Sequence, residues 1–123
     1  MQQQLTEDKS IYLQISQMIE TDILRGILLE EERVPSTNEL AKLYTINPAT
    51  AAKGINLLVD EGILYKKRGI GMFVSAGAAE RIRARRKQEF YEIRLAELLA
   101  EAKSLGITRQ ELIDQIRKGG NHE

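Results

Sequence analysis

Two helix-start signals stand close together near the middle of this chain, and they restrict its fold more than any other feature. Ser36-Thr37-Asn38-Glu39 spells a capping box, in which a serine hydroxyl and a glutamate carboxylate each satisfy a backbone N–H that the first helical turn leaves free. Asn47-Pro48 is the second signal. Asparagine caps well, and proline at the first helical position gives up an N–H that has no partner there anyway. A first helix must therefore end near Tyr44, and the next begins after only Thr45 and Ile46. Two short helices joined so tightly make a helix-turn-helix.

The flanking segments agree with that reading. Ile11, Tyr12, Ile15, Met18, Ile19, Ile23 and Leu24 recur at three-to-four spacing, which predicts an amphipathic helix over 11–24 with Ser10 as N-cap and Gly26 as its stop. An acidic connector with Glu30, Glu31 and Glu32 follows, and Val34-Pro35 breaks helicity, because the residue before proline is pushed toward extended geometry. The second helix of the pair buries Ile55, Leu58 and Val59 and stops at Gly62. ILYKKRGIGMFV then holds two β-prone runs, 63–66 and 72–74, around Arg68-Gly69-Ile70-Gly71, the pattern of a hairpin. Residues 78–105 predict a helix ended by Gly106, and the capping box Thr108-Arg109-Gln110-Glu111 opens a last helix carrying Leu112, Ile113 and Ile116. The expected fold is mainly α with a small β-hairpin: a winged helix-turn-helix domain over 9–77, followed by two C-terminal helices over 78–123.

Composition narrows the function. At 123 residues, 42% hydrophobic and 29% charged, the chain has enough for one core with an appendage. It has no cysteine, hence neither a disulfide nor a thiolate metal site, and a reducing compartment suits it. The polar start MQQQLTEDKS lacks the apolar stretch of a signal peptide, and no apolar run approaches the roughly 18 residues of a membrane helix. A cytoplasmic protein without membrane contact is expected. There is no Ser/His or Cys/His pair, HExxH or P-loop; Asp60 and Glu61 are adjacent and point apart; and the one histidine, His122, lies in a polar tail. Neither an enzyme nor a cofactor is expected. Eighteen bases balance eighteen acids, yet bases gather at Lys66, Lys67 and Arg68 and again at Arg81, Arg83, Arg85, Arg86 and Lys87, so local basic patches survive in a neutral protein. The second cluster fits simple solvation as well as it fits a contact, either with phosphate or in an intersubunit ion pair.

The stretch INPATAAKGINLL, 46–58, begins as a helix of small and polar side chains. A recognition helix needs this, since its first turns must meet base edges and phosphates without bulk. Asn47 and Thr50 can hydrogen-bond phosphates or bases, Ala49 and Ala52 can lie against a thymine methyl, and Lys53 brings charge. Alanine is also simply the best helix former. The capped helix just upstream and the glycine-bearing hairpin downstream favour the contact reading. In the hairpin, Gly69 and Gly71 permit close backbone approach, with Lys66, Lys67 and Arg68 as a positive edge.

The phrases IYLQISQMIETDILRG, VPSTNELA, INPATAAKGINLLVDEGIL and KKRGIGMFV resemble, in order and without gaps over about 9–77, the DNA-binding domain of GntR-type bacterial transcription regulators. The NPAT form and the short C-terminal region resemble the YtrA-type subgroup. This resemblance implies a repressor-like regulator of double-stranded DNA. Its recognition helix, about 47–60, would enter the major groove, and its wing, 66–73, would touch the minor groove or backbone. The implied contact residues are Ser36, Thr37, Asn38, Asn47, Pro48, Ala49, Thr50, Lys53, Lys67, Arg68, Gly69, Ile70 and Gly71. Many family members carry arginine where this chain has Asn38, which puts one contact in doubt. The C-terminal helices carry apolar stripes that need a cover, and in the subgroup this region dimerises; Phe90, Ile93, Leu95, Leu98, Leu99, Leu112, Ile113 and Ile116 are the expected contacts. A homodimer would require a roughly palindromic operator. The resemblance also suggests control of transport operons and, in some members, a small-molecule effector that these residues do not specify. The alternative is a winged-helix adaptor that binds protein and no DNA, for which the zero net charge is the best argument.

Overall fold

The computed structural model describes residues 4–6 and 10–119, so His122 lies outside the described residues. By its internal contacts the chain divides into two compact units, Met1–Ala84 and Arg85–Glu123. The first holds α1 (Ile11–Leu24), α2 (Thr37–Tyr44), α3 (Pro48–Asp60), the strands β1 (Leu64–Lys67) and β2 (Gly71–Val74), and the opening turns of α4 (Ala78–Glu89). The apolar stripe of α1 puts Ile15, Ile19 and Ile23 into a core completed by Leu40, Ile55, Leu58, Ile63, Val74, Ala78 and Ile82. Ile82 shows that the start of α4 is part of this core. Ser10 holds the N-cap position of α1, but its side chain caps nothing. Instead the Gln14 amide clasps the preceding segment, accepting from Thr6 N at 2.7 Å and donating to Thr6 O at 2.8 Å.

The two start signals act as expected. Ser36 Oγ accepts from Glu39 N at 3.1 Å while Glu39 Oε1 accepts from Ser36 N at 3.1 Å, and Asn47 Oδ1 accepts from Ala49 N at 2.8 Å. Between them the turn depends on Thr45, which sits at φ 53° in the left-handed region, with Ile46 N donating to Ala41 O at 3.0 Å. A β-branched residue resists that conformation by roughly 1–2 kcal/mol, so the packing of α2 on α3 holds the turn against its own preference. α3 ends at Glu61 and Gly62, the latter at φ 75°.

β1 and β2 pair antiparallel with Leu64 opposite Val74 and Lys67 opposite Gly71, so β1 runs one residue later than its β-prone run suggested. A third extended segment joins them. Arg33 bridges Phe73, Val34 N donates to Met72 O at 2.9 Å, and Val74 N donates to Glu32 O at 3.0 Å. The sequence reads as a mere acidic connector here because three successive glutamates show no alternation. The wing is therefore tied along its outer edge to the segment that leads into α2.

In the second unit the expected unbroken helix over 78–105 is interrupted. α4 passes into a π-helical turn, Phe90–Leu95, before α5 (Ala96–Ser104), and α6 (Arg109–Gly119) follows a bend at Gly106. The apolar residues give the reason: Phe90 to Leu95 and Ile93 to Leu98 are steps of five, which slip round an α-helix and are brought nearer to register by a wider i→i+5 turn. The Thr108 box forms, with Glu111 N donating to Thr108 Oγ1 at 3.1 Å and Thr108 N donating to Glu111 Oε1 at 3.0 Å.

Candidate nucleic-acid interface

The small residues of α3 divide by face. Ala51 is fully buried and Gly54 is buried as well, the latter under α1. A Cβ on Gly54 would lie 2.7 Å from the carbonyl oxygen of Tyr12, and Ser16 Oγ donates to the Gly54 carbonyl at 2.7 Å. Lack of bulk at Gly54 lets two helices approach closely, a reason the sequence alone did not separate from an outside contact. On the opposite side Asn47, Pro48, Ala49 and Lys53 are exposed, with Thr50 and Ala52 half-buried. Asn47 spends its carbonyl oxygen on the cap, which leaves its amide N–H2 for an outside acceptor. Lys53 Nζ lies 4.1 Å from the centre of the Tyr12 ring, so its charge rests on an aromatic face at the edge of the helix.

At the start of α2, Ser36 and Thr37 are half-buried and Asn38 is exposed. Ser36 is committed to the capping box. The residue that sequence reasoning missed is Arg33, whose Nη2 meets Glu39 Oε1 at 3.2 Å. Hydrogen bonds from Ser36 hold the Glu39 carboxyl below the usual carboxylate range, and the charge of Arg33 adds to this. On its way to Glu39 the Arg33 side chain crosses Gly71, where an added Cβ would come within 2.8 Å of Arg33 Nε. Gly71 also stands at φ 149°, a backbone angle that disfavours a side chain, and any side chain there would have to displace Arg33. The wing and the first turn of α2 are thus clamped by one guanidinium. An arginine in an acidic run beside a Val-Pro break gives no local signal of this, since the contact depends on the third extended segment.

In the hairpin, Lys66, Lys67, Arg68, Gly69 and Ile70 are exposed. Lys67 Nζ lies 4.3 Å from the Phe73 ring centre and 5.9 Å from that of Tyr65. Tyr65 donates its hydroxyl to Glu31, which raises its pKa and ties β1 to the connector again. The second basic cluster is less free than its sequence suggests. Arg81 Nη1 donates to the Gly62 carbonyl at 2.7 Å, closing the end of α3, and Arg85 pairs with Glu89 at 3.4 Å along one helix face.

A winged helix that leaves the start of its second helix-turn-helix element open, and edges its hairpin with lysine and arginine, is the DNA-binding unit of a transcription regulator. Residues 11–74 match the family model of the bacterial regulatory proteins of the gntR family. The HTH-type transcriptional repressor YtrA of Bacillus subtilis is 31% identical over 108 residues, 88% of this chain and 82% of that protein. The chain belongs to the GntR family and is of the YtrA type. The crystal structure of a GntR-family regulator from Bacteroides thetaiotaomicron superposes with a TM-score of 0.77 at 34% identity, covering 91% of this chain and 97% of that one. The DNA-binding domain of AraR, solved in complex with operator ORX1, gives a TM-score of 0.52 at 33% identity over 61% of this chain and 92% of that one. By contrast, the arabinose metabolism repressor of Halalkalibacterium halodurans is 42% identical over 59 residues that make up only 16% of its length. Among the described residues no helix is long and apolar enough to cross a membrane.

Proposed function

We propose that this DNA-binding regulator acts as a homodimeric repressor in the cytoplasm, placing α3 of each protomer in the major groove of a roughly palindromic operator. The observation that carries this is the division of α3: its back is buried at Ala51 and packed on α1 at Gly54, while Asn47, Pro48, Ala49, Thr50 and Lys53 form a low front. Ser36, Thr37 and Asn38 lie at the preceding helix start, and Lys67, Arg68, Gly69, Ile70 and Gly71 supply the wing at the minor groove or backbone. Self-association uses the second unit, where Phe90, Ile93, Leu98, Ile113 and Ile116 are exposed and Leu95, Leu99 and Leu112 half-buried. Such a set of large apolar side chains is better explained by a second copy than by solvent. The repressor role of the Bacillus YtrA relative supports the sign of regulation. Nothing in this reading calls for a catalytic residue or a cofactor.

The test is selection of bound sequences from random double-stranded DNA with the full chain. The expected product is an inverted repeat whose half-sites lie one helical turn, or a multiple of it, apart. Enrichment of a lone half-site would overturn the dimer, and no enrichment would favour the protein-binding adaptor. Thr50→Glu and Lys53→Glu should abolish retention of the selected DNA. Lys53→Glu should also cost about 0.5–1 kcal/mol of stability through loss of the Tyr12 contact.

A further inference from the structure

The tip of the wing carries an isoleucine where a solvent-facing turn has no use for one. Ile70 is 63% exposed, although the same hairpin keeps Met72 and Phe73 half-covered and Val74 buried. A single exposed apolar residue is ordinary, and by itself would mean nothing. The surroundings of Ile70 are not ordinary. Its N–H donates to Lys67 O at 2.9 Å, closing a turn in which Gly69 takes φ 78°. Gly69 has nothing within 4 Å of where a Cβ would stand, so it is needed for its backbone angle and leaves open space beside Ile70. Gly71 follows at φ 149°. The isoleucine thus stands alone on a fixed turn, without a side chain on either neighbour, one residue beyond the basic run Lys66, Lys67 and Arg68.

That profile suits a groove about 6 Å wide between two rows of phosphates. The bases draw the tip to the phosphates, but what reaches the groove floor is apolar. A·T and T·A pairs present only acceptors there, whereas G·C adds the guanine 2-amino donor. A lysine, serine or asparagine at the tip would make contacts with either floor. A branched hydrocarbon covers the guanine amine without accepting its hydrogen bond, and leaves it unsatisfied. We infer that Ile70 is a specificity-determining residue that makes the wing select A·T pairs by excluding the guanine 2-amino group. This deepens the proposed function and rests on it.

The experiment uses the full chain and the sequence recovered by selection, with the base pairs outside each recognition-helix contact replaced one at a time by A·T, G·C or inosine·C. Inosine·C keeps the major-groove pattern of G·C but lacks the 2-amino group. At the wing positions G·C should weaken binding about tenfold, or about 1.4 kcal/mol, and inosine·C should bind like A·T. Ile70→Ser, which alters only an exposed side chain, should keep the melting temperature and salt dependence of the wild type while losing the discrimination. Equal affinity for A·T and G·C at every flanking position, inosine·C as weak as G·C, or retained discrimination in Ile70→Ser would each overturn the inference while leaving operator binding intact. Failure to recover any bound sequence would instead remove the proposed function, and the inference with it.

Discussion

Gly54→Ala tests whether α3 is small for the sake of α1. In an isolated helix the change should stabilise by about 0.8–1 kcal/mol, because glycine is the poorer helix former. In this protein the new Cβ would sit 2.7 Å from the Tyr12 carbonyl oxygen and 3.1 Å from two carbons of Ile15, where ordinary contact begins near 3.4 Å. The obstacle is backbone, which cannot rotate away, so α1 and α3 must part by about 0.7 Å along their most extensive contact. Overpacking of this kind costs about 1–3 kcal/mol, and stretching the Ser16 bond to the Gly54 carbonyl forfeits up to about 1 kcal/mol more. The balance runs from about 0 to about 3 kcal/mol unfavourable, and its middle, about 1.5 kcal/mol, lowers the melting temperature of a unit of this size by roughly 6–12 °C. Thermal unfolding followed by far-ultraviolet circular dichroism would measure it. Asn56→Ala, on the exposed side of the same helix, is the control and should move stability by no more than about 0.5 kcal/mol. A Gly54→Ala protein that melts at or above the wild-type temperature would refute the argument, since the propensity gain would then stand unopposed.

Three further outcomes follow from other parts of the structure. Neutralising Lys67 and Arg68 to glutamine should lower the slope of log affinity against log salt by about 0.9 for each phosphate that the wing no longer neutralises, whereas an unchanged slope would place the wing away from the backbone. For assembly, Ile113→Asp with Ile116→Asp should give a monomer in light scattering, and a persistent dimer would move the interface elsewhere; truncation at Val74 is a poorer test, because it would strip Ala78 and Ile82 from the first unit's core. The lowered pKa of Glu39 means that its contribution is present above the unfolded carboxylate pKa and is lost as pH falls through the folded one. Melting curves on acidification should therefore decline less for Glu39→Gln than for the wild type, and parallel declines would show that the Ser36 cap and Arg33 do not favour the ionised form.

The parts of this fold that were legible in the sequence are those set by neighbours in the chain. Ser36 with Glu39, Asn47 with Pro48, and Thr108 with Glu111 each join groups a few residues apart, so their chemistry is written in spacing and they form as spacing predicts. What escaped depends on segments that meet only in the folded chain. Arg33 gains its place from pairing with Phe73, far along the chain, and although its partner Glu39 is only six residues away, nothing in that spacing marks the contact until the extended segment is in position. The candidate site mixes both kinds. Asn47 and Thr50 are marked by the helix start they belong to, but Ala51 and Gly54 cannot be told from Ala49 and Ala52 until the chain is folded and the first two are buried. Two demands, close packing behind and the proposed close approach in front, call for the same small residues in one helix. The crossing of α1 separates them: it takes Gly54 for close packing, and it leaves Thr50 and Lys53 on the side proposed to meet DNA.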